Sequence, residues 1–319
     1  MKSYITIDGG TTNTRLRLMK NATVIETIKL PIGAKAGIDN HKFLILEIKK
    51  AISDLGKHRG IERILASGMI TSELGLYNLP HIAAPAGIKE LHNAICEVTL
   101  DSISPIPFAF VPGVKVSDGT LEGTDMMRGE ETEIVGLKDY GSNDCLYVLP
   151  GSHSKIIQVD SNGRICDFHT MLTGEMISAL ACNTILKNSV SLEQDQLDDV
   201  SLLDGYNFCK TFGMNEALFK TRVLKNIFQA TDKQAYSFFL GVVLQPEIKR
   251  ITDNTLNKVV IGGRTQIKNA MYELLKQICD KEIILVPDER ASIATALGMV
   301  KIYEFGEMSK NCRLCSSSY

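Results

Sequence analysis

The sequence predicts an α/β protein of two domains facing a cleft, and three observations predict it. An opening run of alternating strands leads into an amphipathic helix and a buried strand; the same pattern returns after residue 144; and each copy carries a glycine turn at a strand end. The 319 residues are too many for one small core and suit two domains. A composition of 44% hydrophobic and 23% charged residues, with no low-complexity tract, is that of an ordinary globular chain.

In chain order, "SYITIDGG" alternates and halts at glycines, "TRLRLMK" resumes and "TVIETIKLP" continues, which predicts three short antiparallel strands within residues 3–31. "HKFLILEIKKAISDLGKH" has helical spacing up to Gly56, and "IERILASGMI" reads as a buried strand ending in a glycine turn. A helix is expected over 88–97, a strand over 106–111 and a helix over Gly129–Leu137. The polar hinge "KDYGSND" then closes a first domain of residues 1–137. "CLYVLPGSHSKIIQVDSNGRICDFHTML" repeats the opening as strand, Gly-Ser turn, strand, Asn-Gly turn and strand, in pattern and not in identity. A helix over 174–187 follows, then three helical stretches to Thr252, of which 232–252 should kink or break at Pro246. The strand "KVVIGG", a helix to Cys279, the strand "EIILVP" and the helix "ASIATALGMVKIYE" complete a second domain, residues 138–306, and residues 307–319 read as a disordered tail.

A formal charge of −2 and a pI near 6.3 offer no general attraction to nucleic acid or to anionic membrane, so the expected partners are small molecules. Met1 is followed by lysine and a strand, with no apolar leader and no run of membrane-spanning length, so the expected location is cytoplasmic. Of the eight cysteines, those at 96, 145, 166, 182, 209 and 279 read as reduced core thiols. Cys312 and Cys315 form a lone C-x-x-C without further zinc ligands or a thioredoxin-like context, and read as part of a frayed C-terminus.

The chemistry is expected at the three glycine turns. In "DGGTTN" (Asp8, Gly9, Gly10, Thr11, Thr12, Asn13) glycines let the backbone approach a ligand, threonine hydroxyls and successive amides can donate to phosphate, and Asp8 can hold a hydrated Mg²⁺. A plain strand-to-strand turn with Asp8 as turn former fits equally well. "PGSHSK" offers Gly151, Ser152, Ser154 and the cation Lys155 to an anion. "IGGR" puts Gly262 and Gly263 at a strand end before a helix, where a nucleotide can lie on the backbone.

In this order "DGGTTN", "LPGSHSK" and "IGGR" resemble the phosphate-one, phosphate-two and adenosine elements of the sugar kinase, hexokinase and actin-like ATPase superfamily. That resemblance implies two ribonuclease-H-like domains with mixed five-stranded sheets flanking a nucleotide cleft. "MRGEET" at 127–132, with "LPGSHSK", "MLTGE" and "ASGMITSELG", resembles the 2-dehydro-3-deoxygalactonokinases more closely. The resemblance implies ATP and Mg²⁺ as cofactors and phosphorylation of the 6-hydroxyl of 2-dehydro-3-deoxy-D-galactonate in galactonate breakdown. It leaves a homodimer open.

A sugar-acid kinase must neutralise a carboxylate, for which the fork of Arg128 is suited. It must also accept or orient the proton of the attacking hydroxyl. Glu130 and Glu131 are neighbours, about 100° apart on a helix, so one is functional and the other caps or pairs; a merely solvated helix start is the plain alternative. Many superfamily members place an aspartate at the second phosphate turn, whereas Leu149, Pro150 and Gly151 supply no acid here. The base is therefore sought first at Glu130 or Glu131, then at His153, then at Glu175, which also suits a helix start. "ASGMITSELG" would present Ser67, Gly68 and Thr71 to the sugar, with Met69 packing. The competing readings are other actin-fold phosphotransferases or phosphohydrolases: another sugar-acid kinase, a pantothenate kinase or an exopolyphosphatase. The last would want a more basic chain.

Overall fold

The computed structural model describes residues 2–315 except 58–59, 142 and 264–265, and describes the side chains of 36–40 and 307–315 no further than their backbone. The opening meander is β1 (Ser3–Gly9), β2 (Thr14–Lys20) and β3 (Thr23–Leu30), followed by α1 (Ala36–Leu55) and β4 (Arg63–Gly68). A 3-10 turn at Met69–Thr71 leads to β5 (Ile82–Ala83), α2 (Ile88–Asn93), β6 (Cys96–Val98), β7 (Phe108–Phe110), β8 (Val114–Val116), β9 (Asp125–Met127) and α3 (Glu130–Leu137). The main sheet has the order β3-β2-β1-β4-β7-β6, with β4 parallel to β1 and β7 parallel to β4. Alternation in β1 and β2 buries Ile5, Ile7, Leu16 and Leu18 against Leu44, Ile48 and Leu55 of α1, which is the hydrophobic reason this segment folds as it does.

Two expectations need correction here. The helix expected over 88–97 ends at Asn93, because Cys96–Val98 pair antiparallel with β7 and satisfy the backbone groups of its edge. That sixth strand extends the expected five-stranded sheet. A second, three-stranded sheet of order β5-β8-β9 was not expected at all.

The second copy consists of β10 (Cys145–Leu149), β11 (Ser154–Val159), β12 (Ile165–Met171), α4 (Thr173–Asn183), α5 (Asp199–Phe212), α6 (Met214–Asn226), α7 (Asp232–Asp253), β13 (Lys258–Ile261), α8 (Gln266–Ile278) and β14 (Glu282–Leu285). Its sheet has the order β12-β11-β10-β13-β14, which matches β3-β2-β1-β4-β7 position for position. The pattern repeat is therefore a repeat of topology. Helix α4 stops at Asn183, and a 3-10 turn at Ile185–Asn188 replaces its expected last turn. Helix α7 runs through Pro246 without a break. Proline removes one helical amide, but the buried Phe239, Leu240, Val243, Leu244, Ile248 and Ile251 pack on both sides of it and hold the helix together.

The final helix α9 spans Asp288–Cys315, so the backbone of 307–315 is helical where a disordered tail was expected; 316–319 lie outside the described residues, as do the side chains of Cys312 and Cys315. The chain divides into two compact units, Met1–Ser142 with Asp160–Asp167 and Glu289–Tyr319, and Asn143–Val159 with Phe168–Asp288. The sequence reading assigns α9 to the second domain, yet it packs on α3 in the first unit, where a Cβ at Gly298 would stand 1.7 Å from the Thr132 carbonyl. No helix among the described residues is long and apolar enough to cross a membrane. Cys182 is exposed and so departs from the core-thiol reading.

Candidate active site

In the first unit, three glycines bring three backbones together. Gly9 pairs in register with Gly68, and a Cβ at Gly68 would stand 2.4 Å from the Gly9 carbonyl. Gly129, just before α3, lies so near that its Cβ would meet the Gly68 Cα at 3.2 Å. Gly68 (φ 83°) and Gly129 (φ 114°) both occupy the left-handed half of backbone space that side chains disfavour. The ends of β1, β4 and β9 thus deliver "DGG", "SGM" and "RGEE" to one place.

Arg128 is a clamp on this place. Its Nη1 donates to the Thr71 carbonyl (2.8 Å) and Oγ1 (2.7 Å), and its Nη2 donates to the Leu79 carbonyl (2.9 Å) and His81 Nδ1 (3.3 Å). Arginine only donates, so Nδ1 of His81 is the acceptor and the ring carries its proton on Nε2. Burial, then the charges of Arg128 and Lys115, lowers the His81 pKa and agrees with that assignment. Four of the five guanidinium N–H groups are thereby directed at protein, which leaves Nε–H for a ligand. Ser67 and Thr71, expected to face a sugar, are fully buried: Ser67 Oγ donates to Glu131 Oε1 (3.3 Å) and contacts Thr132 Oγ1 (3.2 Å), and Thr71 Oγ1 donates to the Gly68 carbonyl. Met69 is half-buried. These residues frame the place where the glycines meet.

The two glutamates divide as their neighbour relation requires. Glu131 is fully buried and takes the Gly129 amide on both carboxyl oxygens (2.9 and 2.8 Å). Burial first, and the charge of Glu130 second, pushes its pKa up to about 8. It is the capping partner. Glu130 is half-buried at the first position of α3, and its Oε2 accepts the Arg128 amide (3.1 Å).

Glu131 has a measurable consequence. An acid whose folded pKa of about 8 exceeds its reference of 4.5 keeps its proton in the fold where the unfolded chain has lost it, so stability falls as pH rises between these values and levels off above them. The Glu131→Gln chain, whose side chain can still accept from Gly129 and donate to Ser67, is expected to show a shallower loss of stability from pH 5 to 8. Urea midpoints at the two pH values measure it, and an unchanged slope would refute the assignment.

The turn between β1 and β2 is tied down by its carbonyls. Gly10 N donates to Asn13 O (2.8 Å), while Ala34 N and Lys35 N donate to the carbonyls of Gly10 (3.0 Å) and Thr11 (2.9 Å). Among the described residues no hydrogen bond uses the amides of Thr11 and Thr12, which therefore suit an anion. Asn13 Nδ2 donates to Thr12 Oγ1 (3.0 Å). Asp8 receives Arg15 Nη1 at 3.3 Å on one oxygen. No cluster of three or more His, Cys, Asp or Glu among the described residues could hold a metal by itself. A single carboxylate still fits Mg²⁺, which keeps most of its waters and takes its other ligands from substrate phosphates.

In the second unit, the turn between β10 and β11 has the same design. Gly174 N and Glu175 N of α4 donate to the carbonyls of Gly151 (3.1 Å) and Ser152 (3.3 Å), and no hydrogen bond among the described residues uses the amides of Ser152 and His153. A Cβ at Gly151 would meet only the His153 carbonyl at 4.0 Å, so this face has room for a phosphate. Ser154 Oγ accepts the Gly151 amide (3.4 Å), and Lys155, expected as an open cation, is buried with Nζ donating to the His153 carbonyl (3.3 Å). His153 and Glu175, the second and third choices for a base, pair with each other (3.1 Å). Gly262 N donates to the Val148 carbonyl (2.9 Å), and Gly263 (φ 73°) abuts Pro150, so the turn after β13 stands against the turn after β10. Arg264 lies outside the described residues.

Sequence reasoning missed His81, since a lone histidine in "LPHI" carries no signal.

The profile of the family described as 2-keto-3-deoxy-galactonokinase matches residues 8–301. A 2-dehydro-3-deoxygalactonokinase of Escherichia coli (strain K12) is 26% identical over 254 residues, 78% of this chain and 80% of that protein. A Rhizobium meliloti (strain 1021) protein provisionally given the same name is 28% identical over 193 residues, 59% of each. A crystal structure from Sinorhizobium meliloti, also provisionally of that name, superposes with a TM-score of 0.78 at 20% identity, covering 94% of this chain and 98% of that one. The activator of the 2-hydroxyisocaproyl-CoA dehydratase from Clostridium difficile, with bound ADPNP, superposes at 0.51 and 16% identity over 98% and 97%. The two mixed sheets are those of the actin-like ATPase fold expected from the glycine turns. With the profile spanning all three turns and "MRGEET", the chain belongs to the 2-keto-3-deoxy-galactonokinase family.

Proposed function

We propose that the chain is an ATP-dependent kinase that phosphorylates the 6-hydroxyl of 2-dehydro-3-deoxy-D-galactonate, giving 2-dehydro-3-deoxy-6-phosphogalactonate, in the cytoplasm. One observation carries the reading: the family match runs over residues 8–301 and takes in every anion-suited turn together with the Arg128–Glu130–Glu131 cluster. In this reading the outward amides of Thr11 and Thr12 receive phosphate in the first unit; in the second unit those of Ser152 and His153 receive phosphate beside the open face of Gly151, and Gly262 and Gly263 lie along the adenosine. Asp8 would hold Mg²⁺ through water, and the ion would neutralise charge on the transferring phosphoryl group. Glu130 accepts or orients the proton of the sugar hydroxyl. Arg128 shapes the acid site through its clamp and offers Nε–H toward the substrate carboxylate.

The test is a coupled ADP-release assay with ATP and Mg²⁺ over a panel of 2-keto-3-deoxy sugar acids, their epimers, hexoses and pantothenate. Turnover confined to the galactonate-derived acid is the expected result. Turnover on hexoses or pantothenate alone would discard the substrate and keep the fold.

A further inference from the structure

One edge of the three-stranded sheet gathers three residues. Strands β5 and β8 run parallel and β9 antiparallel to them, so His81 before β5, Gly113 before β8 and Arg128 after β9 stand at the same end. Ile82 N donates to the Gly113 carbonyl (3.0 Å), and the imidazole of His81 lies across Gly113, where a Cβ would stand 2.7 Å from its Cδ2 and 3.0 Å from its Nε2. Glycine at 113 thus lets a ring that precedes β5 reach past β8 to the guanidinium that follows β9, and there Nδ1 accepts from Nη2 at 3.3 Å. The partners of that guanidinium are the second observation. The Thr71 carbonyl and hydroxyl, the Leu79 carbonyl and the His81 nitrogen are all uncharged. Elsewhere in the same unit a guanidinium is matched by a carboxylate, as Arg164 is by Asp160.

We propose that His81 is a positioning residue for the substrate carboxylate: as a neutral acceptor it aims the Arg128 guanidinium without neutralising it, and so leaves the positive charge of Arg128 for a sugar acid. This rests on the kinase reading, in which Arg128 faces that carboxylate. The charge that acts on the guanidinium is that of Glu131, whose carboxyl burial keeps protonated at neutral pH, while Glu130 Oε2 takes the backbone amide of Arg128. The charged groups that act on His81 are Arg128 and Lys115 of β8, both cations, and they hold its ring uncharged. An acid in the place of His81 would bind Arg128 more strongly and compete with the substrate for it.

The test varies 2-dehydro-3-deoxy-D-galactonate in the ADP-release assay of the full chain, at saturating ATP and neutral pH, alongside thermal melts. Asparagine and aspartate both offer an acceptor oxygen close to where Nδ1 stands, and they differ in charge. His81→Asn is expected to keep the KM for the sugar acid within about threefold of native. His81→Asp is expected to raise that KM about tenfold, with kcat and the KM for ATP within about threefold, while melting at or above the temperature of the native chain. A merely structural role predicts the opposite, since aspartate would tie Arg128 down at least as well as histidine does. His81→Phe, a ring without an acceptor, should also raise the KM about tenfold, and it keeps the idea open to refutation should the aspartate chain fail to fold. Native KM in a folded His81→Asp or His81→Phe chain, or equal rises with asparagine and aspartate, overturns the role of His81 and leaves the kinase reading intact. No turnover of any sugar acid by the native chain removes the kinase reading and this one together.

Discussion

Arg128→Lys is expected to lower the unfolding free energy by about 3 kcal/mol, because a single ammonium cannot replace a fork that serves two loops at once. The guanidinium reaches the carbonyls of Thr71 and Leu79 from different nitrogens, at 2.8 and 2.9 Å, and takes the Thr71 hydroxyl and His81 as well. Lysine has three donors on one atom and could satisfy one of these loops; the other carbonyl would be left short of its partner in a half-buried place. Hydrogen bonds to charged groups each contribute roughly 1.5–3 kcal/mol net, so losing one to two of them gives the magnitude stated. The effect should appear as a lower denaturant midpoint with an unchanged slope. The competing picture, in which Arg128 serves chiefly to bind the substrate carboxylate, predicts the reverse. The lysine variant would then fold with native stability and show its defect only as a raised KM. A native midpoint therefore sinks the clamp.

The contrast between these two pictures marks where the sequence stops being informative. The meanders β1–β3 and β10–β12 could be read because Ile5, Ile7, Leu16 and Leu18, and later Leu146, Val148 and Ile156, alternate with a period only a strand satisfies. The glycine turns could be read as turns because glycine at a strand end lets the backbone reverse and be approached closely. Strands β5, β8 and β9 could not, since two or three residues contain no period to detect. Pro246 does not break α7: proline ends an exposed helix, but the packing of α7 on both sides of it outweighs one lost amide bond. In the site, "MRGEET" announced an arginine and two acids suited to a sugar acid. Which way Arg128 turns depends on carbonyls 57 and 49 residues away in the chain, and spacing does not encode that. The same holds for the two glutamates. Adjacency on a helix required them to differ, and only the approach of Ser67 and Gly129 decided that Glu131 is the buried one.

That decision leads to the variant with the largest expected effect on rate. Glu130→Gln is expected to lower kcat by about 10²–10⁴-fold, the usual worth of a general base, with KM and melting temperature close to native. Stability should be spared because the glutamine carbonyl can still accept the Arg128 amide that Glu130 Oε2 accepts at 3.1 Å. A base must be accessible and must lack its proton, and Glu131 meets neither requirement: it is fully buried, and its pKa of about 8 leaves it protonated at neutral pH. The direction of coupling points the same way, since the negative charge of Glu130 is the second cause of that upward shift. His153 and Glu175 are engaged with each other at 3.1 Å through Nε2 and Oε1, which leaves His153 Nδ1 and Glu175 Oε2 as the atoms a base there would use. Because phosphoryl transfer depends mostly on positioning and charge neutralisation, the residual rate of Glu130→Gln reports how much the base contributes beyond those. Glu131→Gln should stay within about tenfold of the native rate, since it alters a cap and not the reacting hydroxyl. If Glu130→Gln keeps kcat within a few-fold of native while Glu131→Gln loses it, the two roles are exchanged and the buried acid must gain access on substrate binding.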